Sequence, residues 1–179
     1  SYVIPSTVKT IDAYAFESNK KLKSVIIPDS ITEIPIHAFN FCCRLEAVTI
    51  PSSVTSIGND AFRGCFSLKS VVIPDSVISI GGSAFSLCEG LVTVTIPSSV
   101  TAINRNLFSN CTGLTSVTIP NSVTSIGWFA FSCCSGLTSI VIPDSVTEIK
   151  GYAFANCSSL KAVSIPKGLE YDSDTFPDG

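Results

Sequence analysis

Apolar and polar positions along this chain alternate in a single pattern that returns every 23 residues. Each repeat contains the apolar segments LxxVxI and VTxI, followed by Ala-Phe and then a cysteine. Proline marks the period at residues 5, 28, 51, 74, 97, 120, 143 and 166. A strict repeat of this length predicts stacked coils, because one coil cannot bury its apolar side chains without its neighbours.

The period divides the chain into seven full repeats and one shortened repeat. The shortened repeat, residues 166–179, loses one position and gathers the acidic residues Glu170, Asp172, Asp174 and Asp178. Since a charged, irregular end stops further coils from adding, we predict that it is a C-terminal cap. Residues 1–4 look like the end of an earlier strand, so we expect the chain to belong to a longer array. The seven full repeats are 5–27, 28–50, 51–73, 74–96, 97–119, 120–142 and 143–165.

Each segment of the repeat predicts a structural element. The β-branched LxxVxI segment, which ends before proline, predicts a short strand, and the alternating VTxI segment predicts a second, shorter one. Strands of successive coils then form two parallel ladders. The Ala-Phe-x-x-Cys segment predicts a short helical or 3₁₀ turn that places its phenylalanine in the core. Gly58, Gly81 and Gly127, with Asn104 in the same column, predict a turn with positive φ.

Composition and charge exclude several classes of function. Charged residues make up 14% of the chain and the formal net charge is −3. The 11 Lys and Arg residues are scattered singly, so no basic patch is present to bind nucleic acid. Apolar runs are much shorter than the roughly 20 residues that cross a bilayer, so we expect no membrane insertion by this segment. No charged-then-apolar leader opens the chain, and we expect no signal peptide within it.

The combined unit LxxVxIPxSVTxIGxxAFxxCxx, over residues 3–176, resembles the BspA-like leucine-rich repeats of bacterial and protist surface proteins. The resemblance implies a right-handed leucine-rich-repeat solenoid, an extracellular or cell-surface location, and roles in adhesion or protein contact. It implies neither enzymatic activity nor a shared set of binding residues. The commoner leucine-rich pattern has Asn or Cys after the strand, where this chain has serine. We expect the serine hydroxyls to bond the backbone of adjacent coils at Ser30, Ser53, Ser76, Ser99, Ser122 and Ser145.

Cysteine occurs eight times, and six of the eight share one column of the repeat. Stacked coils place parallel side chains about 4.8 Å apart, which suits neither a disulfide nor tetrahedral metal binding. We therefore predict a buried ladder of free thiols, with no metal and no cofactor. Cys43 lies outside the column and is a candidate exposed thiol, while the sequence leaves Cys133 open. The ladder residues are Cys42, Cys65, Cys88, Cys111, Cys134 and Cys157.

Other reactive residues do not combine into a catalytic set. His37 is the only histidine, and its variable column indicates an ordinary exposed side chain. Carboxylates are dispersed rather than paired across a pocket, so we expect no enzymatic activity. Asn110 and Asn156 begin glycosylation sequons, but a buried cysteine at the centre of each favours an accident of the repeat. Glycans at these two asparagines remain open.

Large aromatic residues stand at positions where sister coils carry small or polar ones. Trp128 and Phe129 lie in a stretch without charge between Arg105 and Asp144, and Tyr152 shares the column of Phe129 one coil later. Apolar residues at variable outward positions are typical of contact surfaces. The alternative is a surface aromatic that merely lies on its neighbour. We predict a contact patch of Trp128, Phe129 and Tyr152 on the convex edge, rather than on the flat Ser/Thr face of the main sheet.

These observations favour a non-enzymatic interaction or adhesion module with a rigid, uncharged surface. The expected partner is a protein of a host, a neighbouring cell or the same assembly, and a glycan partner is also possible. A structural segment of an extracellular filament or multi-subunit assembly is the alternative. An ice-binding surface is a third hypothesis, which Lys9 and Ile78 weaken because they interrupt the threonine column.

Overall fold

The computed structural model describes residues 1–176, which form one stack of parallel β-coils with one coil per 23-residue repeat. Every regular element within this range is a short strand. In chain order the strands are β1 (Tyr2–Val3), β2 (Ser24–Ile26), β3 (Glu33–Ile34), β4 (Ala47–Thr49), β5 (Ser56–Ile57), β6 (Ser79–Ile80), β7 (Thr93–Thr95), β8 (Ala102–Ile103), β9 (Ser116–Thr118), β10 (Ser125–Ile126), β11 (Ser139–Val141), β12 (Glu148–Ile149) and β13 (Ala162–Ser164).

The strands form the two parallel ladders that the sequence predicts, so this prediction is confirmed. In the main ladder Val25 of β2 pairs with Val48 of β4, its counterpart 23 residues later. In the second ladder Ile34 of β3 pairs with Ile57 of β5. The main strand of the third repeat is reduced to bridges that Ser70 makes to both neighbouring coils. Across residues 1–176 no pairing joins β9 to β11 or β6 to β8, so each ladder is interrupted.

The core is built from columns of identical side chains. Valine and isoleucine point inward from both ladders, and leucine, alanine and cysteine complete each layer. Phenylalanines of successive coils stack with nearly parallel rings whose centroids lie 5.0 to 5.8 Å apart. The stack comprises Phe16, Phe39, Phe62, Phe85, Phe108, Phe131, Phe154 and Phe176. Each coil is therefore stabilised by contact with the same side chains above and below it.

The predicted helical or 3₁₀ turn at Ala-Phe-x-x-Cys is wrong, since the segment is a chain of tight turns without a helix. In the third repeat Ala61 and Arg63 donate their amides within the coil, to carbonyls three residues earlier. The alternate amides of Asp60, Phe62 and Gly64 donate to the next coil instead. A helix would direct all of these amides along its own axis. Bonding between coils thus replaces the helix.

The glycines after the second strand are needed for close approach between coils and not for a positive φ. A Cβ atom at Gly81 would stand 2.4 Å from the backbone nitrogen of Asn59 in the preceding coil. The left-handed residue comes two positions later, at Ser83 with φ of 58°. At Asn104 the side-chain amide donates to the carbonyl of Ile80 at 2.6 Å. This side-chain bond is the equivalent, one coil later, of the bond that the backbone amide of Gly81 donates to the carbonyl of Ile57.

The serines that follow the proline join neighbouring coils, as the sequence predicts. Ser99 donates its hydroxyl to the carbonyl of Val77 in the preceding coil at 2.5 Å, and five other serines make the same bond. These bonds satisfy carbonyls that the short ladders leave unpaired. The prediction is confirmed at Ser30, Ser53, Ser76, Ser99, Ser122 and Ser145.

The shortened last repeat continues the turn side of the stack. Phe176 stacks on Phe154 at 5.1 Å, and the buried Thr175 accepts a hydrogen bond from the amide of Phe154. On the strand side Val163 is exposed, although its counterparts Val25 and Val94 are buried. Asp178, one of the acids that predict a cap, lies outside the described residues. The capping role itself stays a prediction.

Candidate contact surface

The turn edge of the stack presents side chains from two left-handed positions in each coil. The first position follows the second ladder, and φ there lies between 53° and 65° in all seven full repeats. Left-handed φ turns these side chains away from the core, so the fold leaves their identity free. The first column consists of Tyr14, His37, Asp60, Ser83, Asn106, Phe129 and Tyr152.

Phe129 and Tyr152 meet in this column as a stacked pair. Their ring centroids lie 5.1 Å apart with an angle of 5° between the planes. Trp128 precedes Phe129 and lies against Gly151 of the next coil, where a Cβ atom would stand 2.7 Å from its Cζ3 atom. The exposed fractions are 45% for Trp128 and 41% for Tyr152, while Phe129 is half-buried. The structure thus brings together the three residues of the aromatic patch, as we call Trp128, Phe129 and Tyr152.

Asp174 of the shortened repeat borders the aromatic patch, and the sequence does not reveal this. It raises the pKa of Tyr152, first through a hydrogen bond to its carboxylate and then through its negative charge. The Oδ1 atom of Asp174 is buried, has no hydrogen-bond partner and lies near the Trp128 ring above Gly151. Gly151 was not predicted as part of the patch either. A glycine one coil after a tryptophan in the same column is nevertheless a signal that the ring packs over it.

A second stacked pair occupies the other end of the column. The rings of Tyr14 and His37 lie 4.9 Å apart, and Nε2 of His37 is 4.0 Å from Oδ2 of Asp60. Arg63 also contacts Asp60, at 3.4 Å. The side chain of His37 is 23% exposed, so it is half-buried rather than fully exposed as the sequence suggests. His37 is the only histidine of the sequence.

The six cysteines of one column are buried, and all eight cysteines, which lie within the described range, are free. Each thiol in the column donates to the carbonyl of a phenylalanine in the preceding coil, as from Cys111 to Phe85 at 3.1 Å. Burial raises the pKa of Cys42 and Cys157 to about 11 and that of Cys111 to about 12. Burial also raises the pKa of Cys65, Cys88 and Cys134. The geometry favours thiols that stay protonated inside the core.

The remaining cysteines and the sequon asparagines lie on the turn edge. Cys43 and Cys133 are half-buried, and the thiol of Cys43 donates to the carbonyl of Phe41 at 3.2 Å. Asn110 is half-buried and donates to Ser109, whereas Asn156 is exposed. Both asparagines have left-handed φ, of 61° and 58°. Over the part of the chain that is described, no group of His, Cys, Asp or Glu side chains is placed to hold a metal ion.

The outward face of the main ladder differs from the turn edge. Its side chains are mostly serine, threonine and alanine, but Val72 and Val141 are 79% and 67% exposed. A shallow groove of about 550 Å³ runs between β9 and β11, where the ladder is interrupted. Within residues 1–176 no helix is long and apolar enough to cross a membrane.

The sequence matches the family described as BspA type leucine rich repeat region, in 6 copies over residues 1–112 and 84–177. A leucine rich cell surface protein from Faecalibacterium prausnitzii is 39% identical, with a TM-score of 0.86 over 96% of this chain and 49% of that protein. A leucine rich repeat protein from T. pallidum is 31% identical, with a TM-score of 0.84 over 93% of this chain and 78% of that one.

A leucine-rich repeat protein from Bacteroides ovatus is 32% identical, with a TM-score of 0.70 over 98% of this chain and 50% of that protein. This chain therefore spans about half the length of two of these three relatives. A comparison with curated proteins gives no match.

Proposed function

This chain belongs to the BspA-type leucine-rich repeat family, which is typical of cell-surface proteins. We propose that the chain is an extracellular, non-enzymatic interaction and adhesion module. The stack serves as a rigid scaffold, and the aromatic patch makes the principal contact with a partner outside the cell. The partner is a macromolecule of a host, a neighbouring cell or the same assembly. The F. prausnitzii relative, described as a cell surface protein, supports the location.

The observation that carries the proposal is the exposure of Trp128 at a position that the fold does not require. The counterparts of Trp128 in the other coils differ in size and polarity: Ala13, Ile36, Asn59, Gly82, Arg105 and Gly151. An indole that is 45% exposed at such a position costs the protein solubility without stabilising its core. Tryptophan and tyrosine are enriched at the energetic centres of interfaces, where few charges have to be desolvated.

The test compares fluorescently labelled variants for binding to intact cells of candidate hosts and neighbouring bacteria. We expect Trp128→Ser with Phe129→Ser to weaken binding about 30-fold, equivalent to about 2 kcal/mol, while the circular dichroism spectrum and melting temperature stay near those of the wild type. The matched control is Val72→Ser with Val141→Ser, which removes exposed apolar side chains from the sheet face. Loss of binding in the control alone, or unchanged binding in the aromatic variant, contradicts the proposal.

A structural segment of an extracellular assembly is the second candidate, and the sheet face favours it. Ile26, Val72 and Val141 are all exposed in one outward column. Exposed β-branched side chains on a flat sheet are suited to contact between identical surfaces. This candidate predicts self-association that the sheet-face control variant abolishes and the aromatic variant preserves.

A further inference from the structure

The sheet face, which is the outward side of the main ladder, carries no charged residue. Each LxxVxI segment presents two side chains there, one before and one after its central valine or isoleucine. In all seven full repeats these side chains belong to Ser, Thr, Ala, Val or Ile, and all of them except that of Ser24 are exposed. Another surface can therefore cover the sheet face without desolvating a charge.

The two outward columns of the sheet face differ in the size of their side chains. The first column, before the central residue, contains only serine, alanine and threonine. The second column, after the central residue, contains valine, isoleucine or threonine in the first six repeats. Two of its strongly exposed members stand beside serines, Val72 beside Ser70 and Val141 beside Ser139. The second column is thus a ridge of β-branched side chains, and the first column is a trough of small ones.

A second copy of the sheet face is complementary to the first in one orientation. Two sheets that pack face to face around a two-fold axis parallel to the stack keep each coil opposite the same coil and reverse the strand direction. The ridge of one copy then lies over the trough of the other, so that Val72 meets Ser70. A two-fold axis parallel to the strands puts ridge against ridge instead, and Val72 would meet Thr118.

Charged residues at the borders of the sheet face favour the same orientation. The borders are the positions directly before the first column and directly after the proline. Lys69 and Asp75 occupy them in the third repeat, and Lys23 and Asp29 occupy them around β2. All four residues are exposed. With the two-fold axis parallel to the stack, each lysine lies on the side of the aspartate of the other copy, so both pairs attract.

The other orientation gives a poorer balance of charge. With the axis parallel to the strands, Lys23 borders Lys161, and Asp29 borders Lys167. One pair then repels and one attracts. With the axis parallel to the stack, only Lys161 and Lys167, around β13, bring like charges together. The attraction at Lys23 and Lys69 outweighs that single repulsion.

The area of the sheet face indicates a weak contact. Strands about 4.8 Å apart make seven repeats about 30 Å long, and two outward columns are about 10 Å wide. Each copy therefore covers about 300 Å², compared with roughly 800 Å² for each partner of a stable complex. A contact of this size is suited to a transient dimer.

We propose that the sheet face binds a second copy of this chain, face to face, around a two-fold axis parallel to the stack. The ridge of each copy lies in the trough of the other, and Lys69 borders Asp75 of the second copy. The inference goes beyond the proposed function, because the aromatic patch on the turn edge stays exposed in this dimer. It also gives the structural candidate a defined geometry.

Sedimentation equilibrium of the chain in reducing buffer measures the dimer. We expect a dissociation constant on the order of 0.1 mM, which Trp128→Ser with Phe129→Ser leaves unchanged. Ser70→Leu with Ser139→Leu adds apolar surface to the sheet face but fills the trough. Packing of ridge into trough predicts that this variant dimerises about tenfold more weakly. A contact that depends on apolar area alone predicts stronger association. Circular dichroism checks that each variant is folded.

Reversed charges test the orientation. Lys69 and Asp75 of one copy lie about 20 Å apart along the strand direction, so they interact little within that copy. Lys69→Glu should weaken the dimer about fivefold, and adding Asp75→Lys should restore it, because the two reversed charges meet between copies. The matched control adds Asp144→Lys to Lys69→Glu instead. Asp144 stands in the column of Asp75 three coils later, and its reversal should restore nothing.

Three results overturn the inference. The first is a chain that stays monomeric at about 1 mM, ten times the expected dissociation constant, which leaves the sheet face for a different occupant. The second is stronger association of the Ser70→Leu, Ser139→Leu variant. The third is an Asp75→Lys change that restores the dimer no better than Asp144→Lys does. Since these measurements contain no target cell, none of the three results contradicts the proposed function, which the cell-binding assay tests separately.

Discussion

The identity of each residue in this chain depends more on its column in the stack than on the sequence segment around it. A cysteine side chain fits the space inside each turn, and its thiol donates to the carbonyl of the phenylalanine one coil earlier. Desolvation by burial raises the pKa of these thiols, so little thiolate forms near neutral pH. Because the thiolate is the reactive form, the geometry predicts inert cysteines in the column and reactive ones outside it.

Alkylation tests this prediction at single residues. With iodoacetamide at about pH 8, near the ordinary pKa of a thiol, we expect native protein to be labelled at Cys43 and Cys133, which are half-buried. The six column cysteines should be labelled only after unfolding. Peptide mapping by mass spectrometry measures the labelling of each cysteine in the native and in the unfolded protein. Labelling of Cys88 in the native protein as fast as Cys43, or a disulfide within the column, would show that the thiols are not locked in the core.

At the scale of elements, the phenylalanine stack connects every coil, and its inner rings are buried more completely than the ring of the last, shortened repeat. Phe85 is fully buried between Phe62 and Phe108 at 5.4 and 5.8 Å, whereas Phe176 has a single partner in the stack and is half-buried. Removing a buried ring costs its transfer free energy and leaves a cavity. The cost should therefore depend on where in the stack the ring lies.

We expect Phe85→Ala to lower the free energy of unfolding by about 3 to 5 kcal/mol. Phe176→Ala should lower it by less than about 1.5 kcal/mol, because the ring is partly exposed and lies at the end of the described stack. Urea denaturation followed by circular dichroism measures both variants. Equal losses would mean that the stack does not unfold as the cooperative unit inferred from its geometry.

The elements also show how far the sequence determines this fold. The proline period, the β-branched segments and the column of cysteines predict the stack, both ladders and the bonds of the serines such as Ser99. The turn at Ala61-Phe62 was predicted as helical because a local pattern does not reveal that Phe62 donates its amide to Ala84 in the next coil. Likewise, Gly81 is explained by an approach of 2.4 Å across coils, which no property of its own segment indicates.

The candidate site follows the same rule. Phe129 and Tyr152 could be placed together from the period alone, and the structure stacks them at 5.1 Å. The position of Asp174 could not be predicted in this way. The shortened repeat loses one position, and its register against the previous coil is set by packing. Contacts between equivalent columns are thus predictable, whereas contacts made by an irregular repeat are not.

At the scale of the whole molecule, the stack separates the residues that stabilise it from the residues that vary on its surface. Inward columns are nearly invariant from coil to coil, while the left-handed turn positions tolerate residues as different as Asp60, Ser83 and Phe129. A substitution on the turn edge therefore changes the surface without changing the core. This separation is compatible with the proposed role as a surface module, because contact residues on the turn edge could change while the core is kept.

The claim that the turn edge makes the principal contact is tested most directly by hydroxyl-radical footprinting of the protein bound to its target cells. The account predicts that oxidation of Trp128 and Tyr152 falls several-fold on binding, while oxidation of Val72 and Val141 on the sheet face stays as it is in the free protein. Protection of the two valines, with Trp128 and Tyr152 oxidised as in the free protein, would contradict it.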